Sequence, residues 1–346
     1  MLLLYGAYGY TGQLICDYAK ETGTKLILAG RSIEKLKTLP YSKEWEVRPF
    51  GLDDPAIIDQ NLKEVSVLLH AAGPFIHTAK PMMEACIRNG IHYLDITGEI
   101  GVFEMAHALD KKAQAAGIVL LPGVGFDVVP TDCLALHLKN LLPDATHLQL
   151  AFSASGGGVS RGTAITMAQS LGEDGAMRKD GKIIRVPVGY RTLMAPFHGK
   201  PRFCMTIPWG DVSTAYYTTG IPTIETYMGV PPKSYKWVKL QRFFGWFLRM
   251  SWVRKMAENR IRKGAAGPSE KRRENGKSLV WGKVSNAKGE SREARLLAPN
   301  GYTLTAITAI MIANRVKNVN PGFQTPAAAF GPDFILEVAG TEREDI

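Results

Sequence analysis

Leu2-Leu3-Leu4-Tyr5-Gly6-Ala7-Tyr8-Gly9-Tyr10-Thr11-Gly12 decides the fold: an apolar run enters a turn with glycines at 6, 9 and 12, and a helix-like stretch comes next over residues 13–22. A strand that turns sharply into a helix N-terminus brings unpaired backbone N–H groups and the positive end of the helix dipole to one spot, which suits a pyrophosphate. Glycines at these positions let the backbone turn, let it approach the phosphates, and let the helix sit close on a sheet. The spacing is G-x-x-G-x-x-G, a departure from G-x-G-x-x-G. Tyr8, Tyr10 and Thr11, set between the glycines, are expected to border the same ligand.

Downstream residues at the right distances give the motif its weight. Lys25-Leu26-Ile27-Leu28-Ala29-Gly30-Arg31-Ser32 is a second apolar strand, ending where a dinucleotide-binding unit meets the adenosine ribose. An acidic residue there would hold the ribose hydroxyls of NAD. Here Arg31 is followed by Ser32 and Lys35, and a guanidinium favours a 2′-phosphate, so the expected cofactor is NADP(H). Asp53 is expected near the adenine amine or, more simply, as a helix cap before Pro55. Ala71, Ala72, Gly73 and Pro74 follow a fourth strand, and small residues there let a flat ring approach the backbone.

Alternating strands and helices continue to Leu121 and predict an α/β fold, a Rossmann-like doubly wound sheet of roughly six parallel strands. At 346 residues the chain has room for a second lobe. The expected division is a nucleotide-binding domain over 1–130, a second α+β domain on a mixed or antiparallel sheet over 131–298, and a C-terminal segment over 299–346 that packs back toward the first. The apolar start runs straight into the glycine turn without a basic leader, and Cys16, Cys86, Cys133 and Cys204 form no C-x-x-C pair. A cytoplasmic protein without metal or nucleic-acid partner is the expectation. The seven histidines contain no H-x-x-x-H arrangement.

Five segments in register resemble the saccharopine dehydrogenase-like oxidoreductases, and within them the branch that includes trans-acting enoyl reductases. They are the glycine turn through Gly12, Ala29-Gly30-Arg31, Ala71 to Phe75, Tyr93-Leu94-Asp95-Ile96-Thr97-Gly98-Glu99, and Pro122-Gly123-Val124-Gly125-Phe126-Asp127 with its continuation to Asp132. The resemblance implies NADP(H) held by Gly6, Gly9, Gly12, Arg31 and Ser32, with Ala71 to Pro74 beside the nicotinamide. It also implies that Asp95 to Glu99 and Gly125 to Asp132 line the reaction cleft. Tyr93, Asp95, Glu99 and Asp127 are the candidates for donating a proton or orienting substrate, and Asp127 could equally cap a helix beginning at Thr131. The second lobe is expected to differ from that of saccharopine dehydrogenases proper.

Residues 146–153 alternate like a strand and lead into Gly156-Gly157-Gly158, a candidate lid or close approach to a ligand, with Arg161 beyond it. Lys233 to Arg273 holds 13 Lys or Arg against 2 Asp or Glu, a net of +11 in a chain of net +10. The same segment carries three of the six tryptophans, and residues 237–256 read as a helix apolar nearly all round. The reading is a surface for an anionic membrane or an acidic carrier protein, making the protein peripheral to a membrane; a buried lid or homodimer helix is the alternative. Tyr235 and Lys239 match a Tyr-x-x-x-Lys pair but lie far from the nucleotide lobe, so that assignment is rejected.

The function expected from all this is an NADPH-dependent reductase of an apolar, enoyl or acyl substrate, free or carrier-bound, with the nicotinamide near Gly73. The alternatives are a catalytically idle NADP-binding scaffold at a membrane surface and a saccharopine dehydrogenase-type C=N reductase.

Overall fold

The computed structural model describes residues 1–155 and 158–346, and for residues 241–243 the backbone only. The chain begins β1 (Leu2–Tyr5), α1 (Tyr10–Glu21), β2 (Leu26–Gly30), α2 (Ile33–Lys37), β3 (Val47–Pro49), α3 (Pro55–Asn61), β4 (Val67–His70) and α4 (Phe75–Asn89). It continues β5 (His92–Asp95), α5 (Ile100–Ala108), α6 (Asp110–Ala115) and β6 (Val119–Leu121). Then come α7 (Val129–Leu141), β7 (His147–Ser155), α8 (Arg161–Gln169), β8 (Gly175–Lys179), β9 (Lys182–Val186), β10 (Thr192–Ala195), β11 (Arg202–Thr206), α9 (Asp211–Thr219) and β12 (Thr223–Gly229). The rest is α10 (Pro232–Leu248), α11 (Ser251–Arg262), α12 (Glu270–Glu274), β13 (Lys277–Ser285), β14 (Ser291–Pro299), α13 (Gly301–Arg315), β15 (Gly322–Phe323), α14 (Pro326–Phe330) and β16 (Glu342–Asp345).

Two compact units result, one of residues 1–127 with 302–329, the other of residues 128–301 with 330–346. The first holds a seven-stranded sheet in the order β15-β6-β5-β4-β1-β2-β3, parallel throughout. Its central strands are apolar without alternation because helices cover both faces, so Leu3, Leu4, Leu28, Leu68, Leu69, Leu94, Leu120 and Leu121 are all fully buried. Six of the strands follow from the sequence pattern. The seventh, β15, is two residues long and arrives from a distant part of the chain, where no period-2 signal exists to read. Asp110 fixes it by accepting a bond from the Phe323 N–H at 2.7 Å. Helix α13 is tied to the same unit through Thr308, whose hydroxyl donates to the Val124 carbonyl at 2.7 Å.

The second unit is a mixed sheet of nine strands, with β10-β11-β12-β7-β13-β14-β16 as its main path and the β8–β9 hairpin joined to β12. Among the described residues only β12 and β7 run parallel; the β13–β14 hairpin pairs over nine positions around the turn at residues 286–290. Leu148, Leu150 and Phe152 share one face, as the alternation predicts, and α7 and α9 pack over that side. The contact is close: a Cβ on Gly282 would stand 2.7 Å from the Leu138 side chain of α7.

Two expectations change here. Asp127 does not cap the next helix, because α7 starts at Val129 with Val128 at its cap position and no side-chain cap bond. The single helix expected over 237–256 is two helices, since Met250 adopts an extended conformation (φ −61°, ψ 131°) that ends α10 and opens α11. Gly156 and Gly157 of the triple-glycine stretch lie outside the described residues. Arg161 is exposed at the start of α8, with its N–H bonded to the Ala266 carbonyl.

The glycine turn is enforced by packing. A Cβ on Gly12 would lie 2.3 Å from the Gly6 carbonyl oxygen and 2.9 Å from that of Ala7, so α1 rests on the end of β1 with no room for a methyl group. Gly12→Ala should cost about 2–3 kcal/mol and lower Tm by roughly 4–12 °C. Thermal melting followed by circular dichroism checks this; an unchanged Tm would mean that the helix can move off the strand freely.

Candidate cofactor and active site

The site is built at the carboxyl edge of the parallel sheet, where open α/β sheets bind ligands. Gly6 stands at its centre with φ +92°, and a Cβ there would meet the Ala71 carbonyl carbon at 2.8 Å and the Ala72 nitrogen at 2.9 Å. The loops after β1 and β4 therefore touch backbone to backbone. The Gly6 N–H bonds the Ala29 carbonyl at 2.8 Å and the Gly9 N–H bonds the Gly6 carbonyl at 2.9 Å, so the end of β2 is held to the same point.

Gly9 is the cap residue of α1 and offers no side chain to cap it, and the first turn holds no acidic residue. That glycine-capped N-terminus fits a pyrophosphate. Tyr8 lays its ring on Gly30, where a Cβ would come within 2.6 Å of it, and Lys35 reaches over the same ring at 5.6 Å. Tyr10 packs edge-on against Tyr302, 5.1 Å between centroids, and Thr11 is half-buried in the first turn of α1.

Arg31 is exposed just past β2, and Lys35 is exposed one turn later. Ser32 is differently employed: its hydroxyl caps α2, accepting from the Lys35 N–H at 3.3 Å, and donates to Glu34 at 2.7 Å. The cap of α3 is Asp54, whose Oδ1 accepts from the Ala56 N–H at 2.8 Å, and the neighbouring Asp53 is exposed. The Ala71–Pro74 loop is anchored from below by two groups. Thr78 bonds the Ala72 and Pro74 carbonyls at 2.9 and 3.2 Å and the His70 Nε2 at 2.8 Å. His70 is fully buried, and burial drives its pKa down to about 3, keeping the ring neutral. Glu99 supplies the other anchor, accepting from the Phe75 N–H at 2.9 Å and the Ile76 N–H at 2.8 Å.

Residues 2–121 match the family described as the saccharopine dehydrogenase NADP binding domain. Residues 2–121 form a saccharopine dehydrogenase-type NADP-binding domain.

Among curated proteins, the chain is 29% identical over 203 residues to the saccharopine dehydrogenase-like oxidoreductase of Mus musculus, covering 51% of this chain and 47% of that protein. It is 29% identical over 157 residues to the trans-acting enoyl reductase of Mycobacterium leprae (strain TN), 42% of this chain and 37% of that one. The match thus spans less than half the length of these relatives. In fold, saccharopine dehydrogenase (L-Glu forming) of Saccharomyces cerevisiae superposes with a TM-score of 0.65 at 13% identity, over 100% of this chain and 99% of that one. Homospermidine synthase of Legionella pneumophila, solved in complex with NAD, gives 0.67 at 9% identity, over 100% of this chain and 91% of that one. The second lobe, expected to differ from saccharopine dehydrogenases proper, therefore shares their fold.

Within this NADP-binding domain the four proposed catalytic residues fall into two groups. Tyr93 and Asp95 are fully buried; the Tyr93 hydroxyl donates to Asp95 Oδ2 at 2.8 Å, and Asp95 Oδ1 accepts from the Thr97 and Gly123 N–H groups at 3.0 and 2.9 Å. These bonds clip the end of β5 to the end of β6. Asp127 is half-buried against Gly98, where a Cβ would come within 2.8 Å of its Oδ2. Burial, and then the Glu99 charge, push its pKa up to about 7. His70 and Thr78 are the site residues that sequence reading missed; a lone histidine at a strand end carries no spacing signal, and the helical Thr78 becomes meaningful only once the loop has folded over it.

The second unit carries a separate open cavity of about 530 Å³ on its sheet, lined by Gln149, Arg191, Leu193, Tyr227 and Trp281 among others. Buried Glu225 lies beside it. Burial alone would raise its pKa, but bonds from Tyr190, Tyr227 and Gln149 and the Arg191 charge hold it below the usual carboxylate range. Among the described residues no cluster of three or more His, Cys, Asp or Glu could hold a metal, and no helix is long and apolar enough to cross a membrane.

Burial pushes the Asp95 pKa up to about 7 from an ordinary 3.8, against the pull of its three hydrogen bonds. With the folded value raised, the unfolded chain gives up its proton first as pH rises, so stability falls between about pH 4 and pH 7 and is flat above. Asparagine can keep the Oδ1 contacts and offer its amide to the Tyr93 oxygen. Asp95→Asn should therefore fold and show a flatter fall of Tm over that range, measured by scanning calorimetry at a series of pH values; a slope equal to the parent's would assign the effect elsewhere.

Proposed function

We propose that the protein is an NADPH-dependent reductase of an apolar, enoyl- or acyl-type substrate, free or carrier-bound. The observation that carries the reading is the glycine-capped N-terminus of α1, with no acidic residue in its first turn, together with the exposed Arg31 past the end of β2. The likeness to trans-acting enoyl reductases supports the choice of substrate. When bound, the cofactor supplies hydride transfer from its nicotinamide.

The chain's own residues then have distinct tasks. Gly6 and Gly12 let the turn and α1 pack closely, Gly9 lets the pyrophosphate approach the α1 N–H groups that would bind it, and Tyr8, Tyr10 and Thr11 border it. Arg31, with Lys35, holds the 2′-phosphate through charge-assisted bonds. Ser32, spent on capping α2, orients that turn, and Asp53 borders the adenine. Ala71, Ala72, Gly73 and Pro74 form the floor for the flat ring. Glu99 locks this floor to α4 and is a positioning residue, as are Tyr93 and Asp95. Asp127, protonated near neutral pH, is the proton donor.

A second reading, an NADP-binding scaffold without turnover, is favoured by one observation: Tyr93, Asp95 and Glu99 are all committed to internal hydrogen bonds. NADPH oxidation separates the two. A panel of 2-enoyl thioesters, ketones and imines distinguishes C=C, C=O and C=N reduction, and no oxidation with any of them leaves the scaffold.

Arg31→Ala should erase most of the preference for NADP(H) over NAD(H), a loss of roughly 10- to 100-fold in NADPH affinity with NADH binding unchanged, read by calorimetry. Equal affinity of the parent for both cofactors would overturn the role of this residue. Turnover should fall as pH rises through about 7. Asp127→Asn should lower kcat by about 10²–10⁴-fold with NADPH affinity intact. A variant with parental kcat would move proton donation to another group.

A further inference from the structure

Helices α10 and α11 present their apolar side chains to water. Trp237, Leu240, Phe244 and Phe247 recur at helical spacing along one stripe of α10, and Trp237 and Phe244 are 69% and 53% exposed. Trp246 and Trp252 are 64% and 55% exposed, and with Phe247 they form an aromatic corner where α10 gives way to α11, the Phe247 and Trp252 rings 5.5 Å apart. Along α11 the exposed face continues through Lys255, Met256 and Arg260, while Val253 is turned inward. Of the other tryptophans, Trp45 and Trp281 are buried and Trp209 is half-buried.

Cations accompany this surface. Lys236, Lys239, Arg249, Lys255 and Arg260 are exposed, and among the described residues the two helices show ion pairs of Arg254 with Glu173 and Arg262 with Glu258. A soluble helix ordinarily turns its apolar stripe inward and its charges outward; here both face solvent together. The core of a subunit interface is depleted of lysine, which argues against a second copy as the occupant. Indole rings lodge at headgroup level while lysine and arginine are drawn to anionic headgroups, so the pattern suits a lipid surface.

We propose that α10 and α11 form a docking face for an anionic lipid bilayer, with Trp237, Phe244, Trp246, Phe247 and Trp252 inserted at headgroup depth and the flanking cations against the phosphates. The face lies on the membrane without crossing it. The proposal does not depend on the redox reading, because lipid binding is measured without turnover.

The test is flotation of the intact chain with phosphatidylcholine vesicles, with and without phosphatidylglycerol, at low and high salt. Flotation is expected with anionic vesicles at low salt and should weaken at high salt, since exposed charges are screened. Lipids brominated near the headgroup should quench the emission of the three exposed indoles and leave buried Trp45 and Trp281 unaffected. W246S/W252S should reduce the bound fraction at least tenfold with an unchanged melting temperature, because both side chains stand in solvent. Absence of flotation with anionic vesicles at low salt overturns the proposal. Undiminished flotation by W246S/W252S also overturns it, as does a dimer held by these helices, seen by sedimentation, that excludes lipid.

Discussion

The backbone contact between Gly6 and Ala71–Ala72 is the constraint on which the nucleotide-binding unit depends. The space a side chain would take at Gly6 is filled by another strand's peptide group, so β1 and β4 can end side by side with their loops in register. The same glycine is tied to Ala29 at the end of β2, and its carbonyl is the surface on which Gly12 rests. Four segments thus meet at one residue without a Cβ, in a left-handed conformation that glycine adopts at little cost. A bulkier turn would separate the phosphate cradle from the floor on which a nicotinamide would lie.

Two of the helix N-termini at this edge of the sheet, those of α1 and α4, differ in what they hold. At α4 the Phe75 and Ile76 N–H groups are taken by the Glu99 carboxylate, whereas the first turn of α1 contains no acidic residue. A helix N-terminus attracts negative charge, and at α4 the Glu99 carboxylate supplies it. Filling the α4 terminus from within also fixes the loop before it, and the His70–Thr78 pair does so from the other side. Burial raises the pKa of Asp95 and of Asp127 alike, and of the two Asp127 is the one that is partly exposed.

Much of this was legible in the sequence because it is local. The glycine turn, the unbroken apolar strands and Arg31 all signal through neighbours a few residues away, and they yield the parallel sheet and its nucleotide edge. The alternation of residues 146–153 and the hairpin turn near residue 288 likewise anticipate the second sheet. What escaped depends on contacts distant in sequence. Whether Tyr93 and Asp95 are reactive or merely clip two strands depends on the Gly123 N–H, which no periodicity reports. That the Ser32 hydroxyl caps α2 was not legible, because the helix is only five residues long. The exposure of α10 could not be read either, since an apolar wheel has the same sequence whether it is buried or bare.

Strand β15 carries a consequence for how the molecule is made. It completes the first sheet beside β6, yet about 200 residues and the larger part of the second unit intervene between Leu121 and Gly322. A ribosome adding roughly 5–20 residues per second needs about 10–40 s to cover that interval. Throughout it the edge of β6 stands uncovered, offering unpaired N–H and C=O groups to any passing strand. The nucleotide-binding unit thus starts to emerge before the second unit and cannot be completed until Phe323 has been added. During that wait, protection of one sheet edge falls to chaperones or to the growing chain itself.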